Sequence, residues 1–290
     1  MADPFLKWPG GKRWLARRID SLLPSAYERH LEPFLGGGAV FFHLAPRRGV
    51  LSDSNEELIN AYRCLRTHAE EIDGRLTSLQ KRHNEALYYR TRAMDPAGDI
   101  ARAVRFIYLN RTCFNGIYRV NLKGKFNVPM GSKNLIEYPK GYLKGVASIL
   151  RRASIREADF EETIDMAAAG DFLYVDPPYT VMHNSNNFVK YNSSLFSWEG
   201  QIRLADAIKR AAGRGAAIML SNADHQSVRE LYKDFGYHQS VNRASILSAD
   251  PQHRRPTTEL IITNYPQSQA VAAGPPFCRS TNRANSPSAV

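Results

Sequence analysis

The chain has 290 residues, 43% of them hydrophobic and 23% charged, which is enough to bury one sizeable core as a single large domain or as one domain with an insertion. It contains no run of about 18 apolar residues, and its start, MADPFLKWPGGKRWLARR, has charge and glycine where a signal peptide needs an apolar stretch, so neither a membrane protein nor a secreted one is expected and a cytoplasmic location is. The formal charge is +11, and all of the excess lies between Arg102 and Arg156, where twelve Lys or Arg face one acid, Glu137, while the rest carries 27 of each sign.

In chain order, Lys12 to Leu23 places apolar residues at helical spacing and stops before Pro24. His30 to Phe34 reads as a short strand, and Gly36-Gly37-Gly38 turns into an apolar helix over Ala39 to Leu44. A second strand, Gly49 to Ser52, ends at Asp53 ahead of a helix over Glu56 to Arg66. Strand, glycine turn, helix, strand and acid form the pattern of a mononucleotide-binding half. From about Ser54 to Ser154 the pattern is helical, clearest over Ile100 to Tyr108, with one hairpin-like piece, Ile117 to Val128, turning at Leu122-Lys123-Gly124. This stretch reads as an insertion. The α/β alternation resumes with a buried strand at Phe172 to Val175, a helix over Gln201 to Ala212, a strand at Ala216 to Ser221 and a helix over Gln226 to Phe235. Tyr237 to Asn242 and Glu259 to Asn264 would form an antiparallel edge. After Tyr265 the chain has four Pro, four Ser and little apolar periodicity, and disorder is expected there.

A basic excess confined to one segment implies a polyanionic partner, nucleic acid foremost, with a merely solvated face as the bland alternative. The most specific chemical signal is Asp176-Pro177-Pro178-Tyr179, directly after the apolar strand. Ligands of open α/β sheets bind at the carboxyl ends of the strands, and two prolines there fix the backbone and leave carbonyls without competing amides. An exocyclic amine on an aromatic ring is a poor nucleophile because its lone pair is delocalised. A carboxylate oxygen of Asp176 and the Pro177 carbonyl, aimed at its hydrogens, would localise that pair, and Tyr179 would stack on the base. A proline-rich turn with a solvated Asp is the competing reading.

The glycines of Glu32-Pro33-Phe34-Leu35-Gly36-Gly37-Gly38 permit positive φ and let a ligand approach the backbone. Gly10-Gly11-Lys12-Arg13 lacks both the spacing and the Ser or Thr of a P-loop, which speaks against an NTPase. Asp53, at a strand end, is placed to accept from a ribose diol, or else to cap the following helix, a task Ser54 could perform instead. Three cysteines (Cys64, Cys113, Cys278) without CxxC spacing, eight histidines without HExxH or HxxxH, and no GxSxG leave a disulfide framework, a metal site and a serine or cysteine nucleophile unsupported.

Segments along nearly the whole chain up to Tyr265, in order, resemble the D12 class of DNA adenine-N6 methyltransferases, the Dam family. Phe5 to Lys12 (FLKWPGGK) is similar to its N-terminal cofactor motif, Glu32 to Gly38 to its glycine motif, Asp53-Ser54-Asn55 to its ribose-binding acid, Cys113 to Gly131 to its recognition hairpin and Asp176 to Tyr179 to its DPPY turn. Ser221-Asn222 and Glu259 to Tyr265 resemble its closing segments. The resemblance implies a Rossmann-like α/β fold with an inserted, mostly helical target-recognition domain: residues 1–54 and 155–265 binding S-adenosylmethionine, 55–154 reading DNA, and 266–290 a disordered tail. It implies catalysis by Asp176, Pro177 and Tyr179, and cofactor contacts from Trp8, Lys12, Glu32, Pro33, Phe34, Gly36, Gly38, Asp53, Asp176 and the pair Asp159-Phe160. Trp8 would suit a sulfonium by cation–π attraction, although a core Trp reads equally well. Double-stranded DNA would be gripped by basic side chains, with Arg119, Asn121, Lys123 and Lys125 at the hairpin tip reading bases or only clamping phosphates. The expected activity is methylation of a flipped adenine, in GATC by resemblance, by a monomer without a metal. A catalytically inactive DNA-binding protein, or a methyltransferase of RNA or of a protein amide, is the alternative.

Overall fold

In the computed structural model the described residues are 2–132, 136, 138–181, 196–243 and 257–266. Seven strands form one sheet: β1 (Arg29–Glu32), β2 (Gly49–Asp53), β3 (Ala153–Glu157), β4 (Asp171–Val175), β5 (Ala217–Ala223), β6 (Tyr237–Arg243) and β7 (Thr257–Thr263), in the order β3-β2-β1-β4-β5-β7-β6. β1 to β5 pair in parallel, and β7 runs antiparallel between β5 and β6. The winding direction reverses between β1 and β4, so the carboxyl ends of these two strands bound the crevice in which doubly wound sheets hold ligands. Pro33 has no amide to continue the ladder and ends β1 at Glu32, short of the expected Phe34.

The helices are α1 (Arg13–Ala16), α2 (Ala39–Leu44), α3 (Glu56–Lys81), α4 (Glu85–Ala93), α5 (Asp99–Thr112), α6 (Tyr142–Leu150), α7 (Phe160–Asp165), α8 (Trp198–Gly213) and α9 (Gln226–Leu231). The single helix expected over Lys12 to Leu23 is two pieces, α1 and a 3-10 turn at Ile19–Leu22. Lys12 gives no side-chain cap and Arg13 sits at the positive end of the helix dipole, so little favours a longer helix. The helix expected to end at Arg66 runs on to Lys81, because Ala69, Ile72 and Leu76 carry the apolar stripe past a kink at His68 (φ −127°, ψ 36°).

Residues of the 55–154 stretch do not form a separate core. Leu58, Leu65, Ile107, Val146 and Leu150 are buried in one cluster with Phe5, Phe41, Leu51 and Ile155, on one side of the sheet. A second cluster joins α7, α8 and α9 to Leu31, Leu173, Val175 and Leu220. The expected hairpin has no regular strands. Isolated bridges join Val120 to Phe126 and Cys113 to Met130, and Asn121 and Lys125 close the tip (N–H to C=O, 2.9 Å). Only Phe126 and Val128 of its outer arm are buried, so packing does not extend the ladder. Lys133, Glu137 and the tail from 267 onward lie outside the described residues.

Candidate active site at the carboxyl edge of the sheet

The loop after β1 is built against its neighbours. Gly36 (φ +46°) lies under Trp8, whose Cδ1 would stand 2.7 Å from a Cβ placed there. Asp53 at the end of β2 accepts from the Gly36 amide through Oδ2 and from the Asn55 amide through Oδ1, each at 3.0 Å. The residue that caps α3 is Asn55, whose Oδ1 accepts from the Leu58 amide at 3.1 Å; neither Asp53 nor Ser54 does so. Burial raises the Asp53 carboxyl above its ordinary range, against the opposing amides of Gly36, Asn55 and Ser54. Glu32, 3% exposed, pairs with His30 (Oε2 to Nε2, 3.0 Å); burial raises its pKa, and His30 holds it back.

The turn after β4 meets buried charge from other segments. Asp176 Oδ1 receives the Lys12 ammonium at 2.8 Å and the Ser221 hydroxyl, from β5, at 2.6 Å. Both contacts of this carboxylate among the described residues fall on Oδ1, leaving Oδ2 for a ligand. The Tyr179 hydroxyl donates to Glu259 Oε2 on β7 at 2.9 Å, and Lys12 Nζ lies 3.6 Å from that oxygen and 4.6 Å from the Tyr179 ring centroid. Burial raises the Asp176 carboxyl, while Lys12 and Ser221 hold it down. Burial also opposes charge on Lys12, but Asp176, Tyr174 and Glu259 outweigh it and the ammonium titrates above its usual value. Tyr179 is pushed well above an ordinary phenol by burial and by Asp176 and Glu259, so it stays a donor. An anionic acceptor beside a rigid Pro-Pro backbone and a phenol ring has the chemistry to accept hydrogen bonds from a planar amine.

The model of the D12 class N6 adenine-specific DNA methyltransferases matches residues 8–246, a span that takes in the glycine loop, the Asp176 turn and Ser221. The chain belongs to that family. It is 40% identical to the type II methyltransferase M1.LlaDCHI of Lactococcus lactis subsp. cremoris, over 90% of this chain and 95% of that one. It is 33% identical to the type II methyltransferase M.MjaIII of Methanocaldococcus jannaschii, over 90% and 99%. A DNA adenine methylase of Vibrio cholerae shares 36% identity over 79% of this chain and 84% of its own. The chain is therefore a DNA adenine-N6 methyltransferase, of a family whose methyl donor is S-adenosylmethionine.

The remaining expected site residues fall in three places. Phe34 and Phe160 of the methyltransferase stack at 5.2 Å between centroids, and Phe196 meets both edge-on at 5.6 Å. Asp159, beside this cluster in sequence, caps α7 through the Glu161 amide (2.9 Å) in a capping box with Glu162, and its Oδ2 takes Arg203 at 2.5 Å. Trp8 bridges two regions, covering Gly36 and stacking on Tyr118 at 5.9 Å. At the exposed tip, Arg119 Nε donates to Asn127 Oδ1 at 2.8 Å, while Asn121 Oδ1 accepts from the amides of Lys123 (2.9 Å) and Lys125 (3.0 Å). Ser221 and Glu259 had no role assigned from the sequence. Their signal was a polar residue abutting the apolar run of a strand, Ser221 after Ile218 to Leu220 and Glu259 before Leu260 to Ile262, the pattern of a buried group with a partner. Among the described residues no helix is long and apolar enough to span a membrane, and no three His, Cys, Asp or Glu side chains are placed to hold a metal.

Proposed function

We propose that the enzyme methylates N6 of an adenine flipped out of duplex DNA at GATC, with the Asp176 turn as the transfer site. The observation that carries this reading is the asymmetry of Asp176, whose Oδ1 is held by Lys12 and Ser221 while Oδ2 has no donor among the described residues. Oδ2 and the Pro177 carbonyl accept from the two amine hydrogens, drawing the nitrogen lone pair out of the ring, and Tyr179 stacks on the base. An oriented acceptor of this kind acts most strongly as the amine pyramidalises, so it accelerates transfer more than it aids binding.

The crevice fits S-adenosylmethionine: the Asp53 carboxylate, held by backbone amides, keeps acceptor capacity for a ribose hydroxyl, and the stacked Phe34 and Phe160 offer an apolar surface for an adenine. The cofactor supplies a methyl on a sulfonium, an already activated leaving group. Trp8, Lys12, Glu32, Pro33, Gly36 and Gly38 line or support its approach, and Asp159 reaches an adenine amine only by sharing its carboxylate with Arg203. Residues 55–154 act as the DNA-reading part although they share the core of the sheet. With Nε fixed by Asn127, Arg119 retains both terminal amino groups for guanine O6 and N7. The Asn121 oxygen frames the turn, so Lys123 and Lys125 are presented to phosphates. The test is DNA from cells expressing the enzyme: resistance to an endonuclease blocked by adenine methylation at GATC is expected, and full cleavage together with adenine N6-methylation at another site would overturn the GATC assignment.

A further inference from the structure

Glu259 occupies a place where a carboxylate is unfavourable. It is 2% exposed, pairs on β7 with Ala223 of β5 and Val241 of β6, and is followed by the buried Leu260, Ile261 and Ile262. Desolvating an ion in such a strand destabilises the fold unless partners compensate it. Its partners include Tyr179 of the Asp176 turn and Lys12 of the N-terminal segment. Oε2 accepts from the Tyr179 hydroxyl at 2.9 Å and lies 3.6 Å from Lys12 Nζ, and the same ammonium holds Asp176 at 2.8 Å and covers one face of the Tyr179 ring at 4.6 Å. Tyr179 is thereby gripped at its tip by an anion and on one face by a cation, so a base can stack only on the other face.

We propose that Glu259 is a positioning residue for methyl transfer, fixing through Tyr179 and Lys12 both the ring on which the target adenine stacks and the carboxylate that receives its amine. The inference rests on the reading of residues 176–179 as the transfer site. Glu259 itself touches neither the base nor the cofactor in this arrangement; β7 brings it there because that strand is inserted between β5 and β6.

The experiment is a double-mutant cycle on the full chain, read as the single-turnover methylation rate of a GATC duplex at saturating S-adenosylmethionine, with cofactor affinity measured by titration calorimetry. Losing a hydrogen bond to a charged group should lower the rate about 10- to 100-fold in Glu259→Ala and about 10-fold in Tyr179→Phe. The double variant should be little slower than Glu259→Ala alone, because both changes break one contact. Cofactor affinity should stay within about threefold, and Glu259→Gln, which keeps an acceptor for the hydroxyl, should recover most of the rate. Should Glu259→Ala not fold, Tyr179→Phe and Glu259→Gln decide: a rate within twofold of wild type for Tyr179→Phe, or no recovery in a folded Glu259→Gln, overturns the proposal. Losses that multiply as independent effects overturn it too. If Asp176→Ala also remains active, the transfer-site reading has failed; if Asp176→Ala is inactive and Tyr179→Phe is normal, only the role of Glu259 has.

Discussion

Replacing Lys12 by Met should move the acid limb of the methylation rate toward higher pH. The ammonium lies 2.8 Å from Asp176 Oδ1 and 3.6 Å from Glu259 Oε2, and its side chain is 4% exposed. Two unit charges 4 Å apart interact by about 4 kcal/mol at an effective dielectric near 20, and an opposite charge at this range lowers a carboxyl pKa by about 1 to 3 units. Burial already raises the Asp176 carboxyl, with Lys12 as its largest opposing influence, so removing the cation lets it rise further. Transfer requires ionised Asp176, so activity is lost as pH falls through its pKa, and that loss should begin about 1 to 3 pH units higher in the variant. Stability moves in the matching sense. Leaving Asp176 and Glu259 buried without the ammonium should cost about 3 to 5 kcal/mol at neutral pH, a deficit that shrinks on acidification as a carboxyl takes up a proton. The assay is the single-turnover rate between pH 5 and pH 9, on the order of this range to bracket ordinary and raised carboxyl values, at cofactor concentrations saturating for each protein. An acid limb unmoved by the substitution, or a uniform loss at every pH, would refute Lys12 as the counter-charge of Asp176 and leave it a cofactor contact.

Asp53→Ala should weaken S-adenosylmethionine binding by about 1 to 3 kcal/mol in calorimetry; unchanged affinity would confine Asp53 to its contact with the Gly36 amide. Gly36→Ala places a methyl 2.7 Å from Trp8 Cδ1 at a positive φ, and the melting temperature should drop with a loss of about 1 to 3 kcal/mol; a neutral effect would mean the loop yields readily. Arg119→Ala should cost about 1 to 3 kcal/mol on the cognate duplex and relax discrimination at one base position, whereas alanine at Lys123 and Lys125 should slow all sequences alike and flatten the salt dependence of binding. Uniform loss in all of them would make the hairpin only a clamp.

The parts of the site written in contiguous residues were legible in the sequence. The glycines after β1 and Asp176 to Tyr179 after an apolar run are local signals, and they lie at the two strand ends flanking the switch point, although the first strand was expected to run through Pro33 to Phe34. The capping box of Asp159 and Glu162 was equally local and gives Asp159 a structural task beside its proposed one. What could not be read was the company that Asp176 keeps. Lys12 comes from the N-terminal segment, Ser221 from β5 and Glu259 from β7, and only the order of the sheet brings them together. Nor does helical periodicity reveal that Asn55, not Asp53 or Ser54, caps α3, because all three residue types can accept from the first turn. The hairpin shows the opposite case, where turn residues formed the turn and only partly buried arms left the strands unformed.

The central claim is that Asp176 accepts the adenine amine. It is tested most directly by comparing Asp176→Ala with the wild type in single-turnover methylation of a GATC duplex, with cofactor and DNA affinities measured in parallel. Removing one preorganised electrostatic partner should slow transfer by ~10²-fold or more, while both affinities stay close to wild type because the acceptor acts mainly in the transition state. A variant that keeps more than about a tenth of the wild-type rate, given that expected loss, would contradict the assignment.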